Sequence, residues 1–375
     1  MSRVPPPSRR LRVLIAGGGT GGHLYPGIAV ARELLSRQPD AVVTFAGTSR
    51  GLEAQVVPRE GFELDVIRSA GLKGQSAAGR LRGAAVLPLS AIDAWRVLNR
   101  RAPHVVMGVG GYSSGPIVLL ASMRGVPTLV LEPNAVPGVT NRLLAPFVRA
   151  AAVAFPSTLD HFRGKGFVSG IPVRAEFFTD HRLDVRDPRQ AVRVLIVGGS
   201  QGAHAINVAA VAAAARLAAG DVPIAVTHQT GVRDLDLVRE GYRAAAVDAR
   251  VEPFLYEMAR EMKDADLIVC RAGAMTLAEV AAAGKPAILV PLPTAADDHQ
   301  RRNAEVLVTA GAARLLDQRA LTGETLAAHV LGLAADTAER GRMAAAARSL
   351  GRPDAAAAIV DRMTALAGGR PARPD

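Results

Sequence analysis

One pattern occurs twice in this chain. LRVLIAGGGTGGH at residues 11 to 23 returns at 192 to 204 as VRVLIVGGSQGAH, with eight of thirteen positions identical. Each copy is an apolar run, a glycine-rich turn and the opening of a helical period. Strands buried on both faces read as unbroken Val, Ile and Leu runs, and in parallel sheets crossover helices join them. Behind the first copy, apolar runs and helical patterns alternate through FELDVIRS, a helix around 77 to 100, HVVMGVGGYSSGP, PTLVLEPNAVPG and AAVAFP. Behind the second come PIAVTHQTG, ARVEPFLYE and ADLIVCRAGAMTLAEVAAAGKPAILVPLP. The expected fold is α/β, with two Rossmann-like, doubly wound parallel-sheet domains facing a cleft. The expected divisions are a disordered basic tail (1–10), a first domain (11–165), a second domain (166–365) and a frayed tail (366–375). The last helix has the option of packing back on the first domain. Residues 160–190, with the charged run DHRLDVRDPRQ, show no sustained period and read as the connection.

Composition removes several classes of function. A single cysteine, Cys270, excludes a disulfide framework and a multi-cysteine zinc site, and fits a reducing cytoplasm. No apolar run approaches the roughly 18 residues that a membrane span needs. The N-terminal double arginine looks like an export signal, but its apolar stretch is short and runs straight into a glycine turn. A net charge of +11 would suit nucleic acid, yet the four tyrosines and nine phenylalanines are not interleaved with basic residues as stacking platforms. No nucleic-acid partner is expected; an anionic membrane or a pyrophosphate substrate suits the charge equally well. From Arg68 to Arg101, seven basic residues and one acid, Asp93, accompany Leu81, Val86, Leu87, Leu89, Ile92 and Trp95. The patch near 73–101 is either a contact for an anionic membrane surface or a core helix with a charged back, its period broken at Pro88.

The chemistry gathers at strand ends. Gly17, Gly19 and Gly22 satisfy G-x-G-x-x-G, but the second strand ends in Thr48, Ser49 and Arg50 where a dinucleotide site wants a ribose-binding acid. The second loop, Gly198 to Gly202 with Ser200, offers phosphate donors without the Lys-Ser/Thr ending of a Walker loop. Asp234 to Asp236 and Asp264 to Asp266 match D-x-D only textually and read as solvated acids, so no obligatory metal is expected. A departing diphosphate must then be held by helix N-termini and arginine, with Arg174 of GIPVR placed for it unless it makes a surface salt bridge. His23, Tyr112, Glu132 and Asn134 share one rim. His23 is a base for an acceptor hydroxyl, a loop cap or a phosphate ligand; Glu132 is the competing base, and His204 reads as structural. In the second half Arg271 and Gly273 end a strand, and Thr276 with Glu279 is either a capping box or part of a ligand site. Asp297 and Asp298 read as helix-start acids, whereas Gln300 and Asn303 suit sugar hydroxyls.

GGGTGGHLYP, GLKGQ, GGYSSGP, LEPNAVPG, GIPVR, GGSQGAHAIN, CRAGAMTLAE and DDHQRRNA occur in this order, and the series from about 11 to 365 resembles the bacterial MurG transferase family. The resemblance implies a GT-B fold and an inverting transfer of N-acetylglucosamine from UDP-N-acetylglucosamine. The acceptor would be the muramoyl C4 hydroxyl of undecaprenyl-pyrophosphoryl-muramoyl-pentapeptide. It implies donor contacts from Thr20, Gly21, Gly22 and Asn134 in the first domain. From the second it implies Arg174, Ser200, Gln300 and the turn Ala274, Met275, Thr276, Leu277, Ala278 and Glu279. By the same likeness Glu279 holds the ribose, Leu255 lies near the uracil, Arg174 and Ser200 serve the diphosphate, and Gly111, Tyr112 and Asn141 serve the acceptor. It further implies no obligatory cofactor, with a divalent cation at most stimulatory. The implied setting is peripheral, on the cytoplasmic face of the inner membrane, in cell-wall biogenesis, cell shape and division, with cell-wall synthesis and division proteins as candidate partners. LEPN stands where many members read HEQN, IPVR where they read NPVR, and His299 where some have glutamine. The competing readings are another GT-B enzyme (a glycolipid synthase or epimerase), an NADP oxidoreductase using Arg50, and a non-catalytic basic adaptor.

Overall fold

The computed structural model describes residues 10–69, 77–178, 191–199 and 201–368. It divides into two compact units, Met1–Pro172 with Asp354–Asp375, and Val173–Pro353.

In the first unit the chain runs β1 (Arg12–Gly17), α1 (Gly21–Arg37), β2 (Val42–Gly47), α2 (Glu53–Arg59), β3 (Glu63–Val66) and α3 (Ala77–Arg101). It continues through β4 (Val105–Gly110), α4 (Ser114–Met123), β5 (Thr128–Glu132), α5 (Val139–Leu144), β6 (Ala150–Val153) and β7 (Gly166–Val168). The strands form one parallel sheet in the order β3-β2-β1-β4-β5-β6-β7. β1 is central, with Val13 opposite Val43 on one side and Val105 on the other. Its alternate side chains enter two cores: Val13 and Ile15 pack with Leu24, Ile28 and Leu34 of α1, Leu14 and Ala16 with Val97 of α3 and Ile117 of α4. That two-sided burial explains the unbroken apolar run, and each fully buried Ile or Leu contributes about 1.5–3 kcal/mol.

The second unit repeats the plan with β8 (Val192–Val197), α6 (His204–Ala218), β9 (Ile224–Gln229), α7 (Leu235–Ala244), β10 (Asp248–Glu252), α8 (Met258–Asp264) and β11 (Leu267–Cys270). Then follow α9 (Ala274–Ala283), β12 (Ala287–Leu289), α10 (His299–Thr309), β13 (Ala313–Leu315), α11 (Gly323–Ala335) and α12 (Thr337–Leu350). Its sheet order is β10-β9-β8-β11-β12-β13, all parallel. Val194 and Ile196 face α6 and α11, whereas Leu195 and Val197 face the core beneath α9.

Two expected boundaries shift, the division between the domains and the start of the C-terminal tail. The stretch 160–190 is not only a connection: Gly166–Val168 adds the edge strand β7 beside β6, too short to show a period, and so the first unit runs on to Pro172. α3 runs through Pro88 without a break. The last helix, α13 (Ala355–Ala367), belongs to the first unit, where Ile359, Val360 and Met363 enter the core under α1 and Asp361 pairs with Arg37 at 2.7 Å. Its last turn extends past the expected start of the tail at 366.

Candidate active site

Each sheet reverses its strand order once, between β1 and β4 and between β8 and β11. The carboxyl ends of such a strand pair open a crevice in which ligands of doubly wound sheets bind.

In the first unit the crevice is bounded by the turn Gly17 to Thr20 and by Gly110 to Tyr112. Thr20 precedes α1 in extended conformation and makes no side-chain capping bond. Its Oγ1 lies 3.2 Å from His23 Nδ1 instead. Gly21, Gly22 and His23, the first residues of α1, are half-buried. The His23 ring covers Gly110, where a Cβ would come within 2.7 Å of ring Cδ2, and a Cβ on Gly111 would stand 2.7 Å from Gly18 O. The two strand-end turns therefore rest backbone on backbone, with His23 at their junction and Tyr112 exposed beside it.

Glu132, at the end of β5, is buried, and each carboxylate oxygen accepts two hydrogen bonds. The Asn134 N–H and side-chain Nδ2 donate to Oε1 at 3.0 and 3.2 Å, and the Gly138 N–H and Asn141 Nδ2 donate to Oε2, both at 2.9 Å. Burial pushes the carboxyl above its usual range, against the pull of these donors. The group holds the 133–138 turn in shape. Asn141 is buried and also donates from Nδ2 to Leu131 O at 2.9 Å, which leaves its Oδ1 without a hydrogen-bond partner.

In the second unit Ser200 lies outside the described residues. Beside it, Gly202 has φ +75° and sits so close to Thr230 that a Cβ there would overlap the Thr230 carbonyl oxygen. α6 and α9 start at the ends of β8 and β11 with Ala203 and Gly273 as caps, neither making a side-chain capping bond. Two positive helix ends with exposed-type amides thus meet the crevice, a ready anion site. Thr276 and Glu279 form no capping box, because the helix begins at Ala274 with Gly273 as its cap; Thr322 with Thr325 forms a capping box at the start of α11. Ala274, Met275, Thr276, Ala278 and Glu279 are partly exposed, while Leu277 turns into the core and can offer a ligand only its backbone. Burial pushes the Glu279 carboxyl up to about 7, with the Arg174 guanidinium pulling against it and Glu176 adding to it. Arg174 pairs with Glu176 at 2.8 Å and lies over the Phe177 ring, so the surface ion pair exists beside Glu279 rather than away from the site.

Several side chains singled out by sequence have partners within the protein. Arg271 donates to Val290 O at 3.1 Å and ties down the end of β12. Asn303 is buried and directs Nδ2 to Ala272 O, so it supports the β11 turn and does not reach a sugar. Gln300 accepts from the Leu292 N–H at 3.0 Å. Asp234 is no solvated acid: it is buried and accepts from Asn207 Nδ2 at 2.8 Å, with His204 Nδ1 at 3.0 Å. Asp266 receives the Arg193 N–H at 2.9 Å. Asp297 and Asp298 hold left-handed backbone conformations, and Asp298, the residue before α10, makes no side-chain capping bond. Leu255 is buried, and its N–H is taken by Gln229 Oε1 at 2.8 Å.

Sequence reasoning missed two residues. Gln229 joins two turns of the crevice, donating to Gly199 O at 2.9 Å while it holds Leu255. Glu53 is buried under the first glycine turn and accepts the Gly19 N–H at 2.7 Å. The signal available for Glu53 was an acid at the start of the helix after β2, next to Gly47 and Gly51; for Gln229 nothing in the spacing marks it.

Residues 13–153 match the glycosyltransferase family 28 N-terminal domain and residues 193–359 match the C-terminal domain of the same family. Fold and matches define the class, a family 28 glycosyltransferase built as a GT-B pair of Rossmann-like units. A protein of Anaeromyxobacter sp. (strain Fw109-5) is 48% identical, over 94% of this chain and 92% of the relative. One of Pelobacter propionicus is 45% identical, over 94% and 98%. Both are named UDP-N-acetylglucosamine–N-acetylmuramyl-(pentapeptide) pyrophosphoryl-undecaprenol N-acetylglucosamine transferase. The crystal structure of Acinetobacter baumannii MurG is 32% identical and superposes with a TM-score of 0.77, covering 94% of this chain and 99% of that one. The chain belongs to the MurG family.

Proposed function

We propose that this chain transfers N-acetylglucosamine from UDP-N-acetylglucosamine to the muramoyl C4 hydroxyl of undecaprenyl-pyrophosphoryl-muramoyl-pentapeptide, in peptidoglycan synthesis. The observation that carries this reading is the 48% identity, across nearly the full length of both chains, to a relative named for that reaction. The second unit takes the donor: the α6 and α9 N-termini and Arg174 receive the diphosphate, and Glu279 accepts from the ribose hydroxyls. The first unit takes the acceptor at the turn carrying His23, with Tyr112 exposed at the adjoining turn and Asn141 assigned to the acceptor by the family likeness. The C4 oxygen attacks the anomeric carbon from the face opposite UDP and a C–O bond forms. The C4 proton passes to the His23 imidazole, and UDP leaves with the electron pair of the broken C1–O bond. His23 is preferred to Glu132 as the base because both oxygens of Glu132 are already committed to the 133–138 turn. Inversion requires a β(1→4) product, which proton NMR of the isolated disaccharide lipid reads directly; an α-linked product overturns the single-displacement mechanism.

Asp234 and Asp266 accept from Asn207 Nδ2 and the Arg193 N–H, which supports a reading in which neither D-x-D pair holds an obligatory metal. Charge on the leaving diphosphate is therefore assigned to helix ends and arginine. Transfer in excess EDTA is expected to keep at least about a third of its rate; an abolished rate, restored by magnesium, contradicts this assignment.

The enzyme works peripherally at the inner face of the cytoplasmic membrane, within the machinery of cell-wall assembly and division. Among the described residues no helix is long and apolar enough to cross a membrane. α3 instead exposes Leu89, Ile92 and Trp95, spaced three apart, beside the exposed Arg96 and Arg100. Apolar side chains ringed by cations suit an anionic bilayer surface. Replacing Ile92 and Trp95 by serine is expected to weaken co-sedimentation with phosphatidylglycerol vesicles on the order of tenfold per side chain, at unchanged UDP affinity. Unaltered sedimentation moves the contact elsewhere.

A further inference from the structure

The first glycine turn already holds an anion of its own. Glu53 is fully buried. Its Oε2 accepts the Gly19 N–H at 2.7 Å, and its Oε1 accepts both the N–H and the hydroxyl of Thr48 at 2.8 Å. The Thr48 hydroxyl in turn accepts the Gly51 N–H at 3.1 Å. Three glycines, Gly18 from the first turn and Gly47 and Gly51 from the end of β2 and the turn after it, clear the space. A Cβ on Gly18 or Gly51 would run into the carboxylate itself, and one on Gly47 would come within 2.6 Å of Cγ. A chamber of carboxylate size, lined by amide donors, is the arrangement that a glycine-rich turn ordinarily offers to phosphate. Here a side chain from α2 fills it. Burial pushes the Glu53 carboxyl up, but the N–H groups of Gly19, Thr48 and Glu53 itself and the Thr48 hydroxyl outweigh burial and hold it below the usual range. The buried group is therefore an anion at neutral pH.

The same turn carries the reaction groups of this unit. Gly19 leads directly into Thr20, which holds His23 through Oγ1, and Gly18 O is the surface on which Gly111 rests. Any freedom in the turn becomes freedom of the imidazole. We propose that Glu53 is a positioning residue, an internal anion that occupies the phosphate place of the first glycine turn and so fixes Thr20 and His23 toward the acceptor. Its second effect is selective, since a filled turn has no seat for the donor diphosphate and leaves that ligand to the second unit. The proposal rests on the reading of His23 as the group that acts on the acceptor.

The test is chemical rescue in the full-length enzyme. Glu53→Ala empties the chamber and is expected to lower kcat on the order of 10²-fold, the effect of misplacing a reacting group by about an ångström. The Kd for UDP stays within about two-fold, because the diphosphate and ribose contacts are assigned to the other unit. Sodium formate restores kcat in a saturable way, and sodium chloride at equal ionic strength does not. Glu53→Gln fills the chamber but turns an amide donor toward N–H donors; it loses rate and formate does not rescue it. Circular dichroism melts check that both variants fold, and formate is expected to raise the melting temperature of Glu53→Ala alone. Wild-type-like kcat in Glu53→Ala overturns the proposal, and so does a folded, slow Glu53→Ala that ignores formate. A fast His23→Ala with a formate-rescued Glu53→Ala removes the reading of His23 and leaves the anion chamber standing. If the wild type transfers nothing, the melts alone decide the chamber: a formate shift confined to Glu53→Ala supports it and no shift refutes it.

Discussion

Replacing His23 by alanine slows sugar transfer on the order of 10²-fold or more, while UDP binds within about two-fold of wild type. The size follows from the role: a general base in the transition state contributes that much, and the acceptor hydroxyl is too weak an acid to react without one. The selectivity follows from the architecture, because His23 belongs to the first unit and the nucleotide contacts are assigned to the second. Single-turnover rates at saturating acceptor separate this from an acceptor-binding defect, which would raise KM and spare kcat. A mutant that turns over normally removes His23 from proton transfer and returns the role to Glu132. In that case Glu132→Gln, which disturbs the four-donor cage, would have to show the larger loss.

The second large effect concerns Glu279 and pH. Its carboxyl is pushed up to about 7, chiefly by burial. A carboxylate accepts both ribose hydroxyls, whereas the protonated acid offers one of them a donor. Below pH 7 the free enzyme is increasingly in the wrong form for the nucleotide, and UDP affinity is expected to fall about tenfold per pH unit there and to level off above pH 7. Binding near pH 6.5 should therefore release a proton, visible as a dependence of the calorimetric heat on the buffer's ionisation enthalpy. The sign is opposite for folding of the free chain: a carboxyl whose folded pKa lies above its unfolded value near 4.5 stabilises fully below that value, and the contribution is lost as pH rises through about 7. Glu279→Gln is expected to abolish the pH dependence and weaken UDP on the order of 10–100-fold, the worth of hydrogen bonds to a charged acceptor. Unchanged UDP affinity in that variant places the ribose elsewhere.

The parts of this molecule legible in sequence are those written in backbone periodicity. Val13 and Ile15 face one core and Leu14 and Ala16 the other, so β1 had to appear as an uninterrupted apolar run, and its echo in β8 implied a second sheet of the same plan. β7 escaped because three residues at a sheet edge carry too little pattern. At the site, positions next to strand ends were legible: Glu132 ends β5, His23 opens α1 after β1, and Glu279 lies in α9 after β11. The direction in which a side chain turns was not. Arg271 and Asn303 have ligand-like chemistry but spend it on strand-end carbonyls, and Asp234 reads as a surface acid only until Asn207 and His204 are seen folded over it. Glu53 is the sharpest case. Its effect depends on the β1–α1 turn with Gly18 meeting the β2–α2 stretch with Gly47 and Gly51, a convergence that exists only in the fold.

The most direct test of the central claim is transfer itself. Purified protein is given radiolabelled UDP-N-acetylglucosamine and a short-chain analogue of the undecaprenyl-pyrophosphoryl-muramoyl-pentapeptide, and label is followed into the lipid. The predicted result is stoichiometric movement of N-acetylglucosamine onto the acceptor with release of UDP. A folded protein that binds UDP and leaves all label on the nucleotide contradicts the assigned reaction.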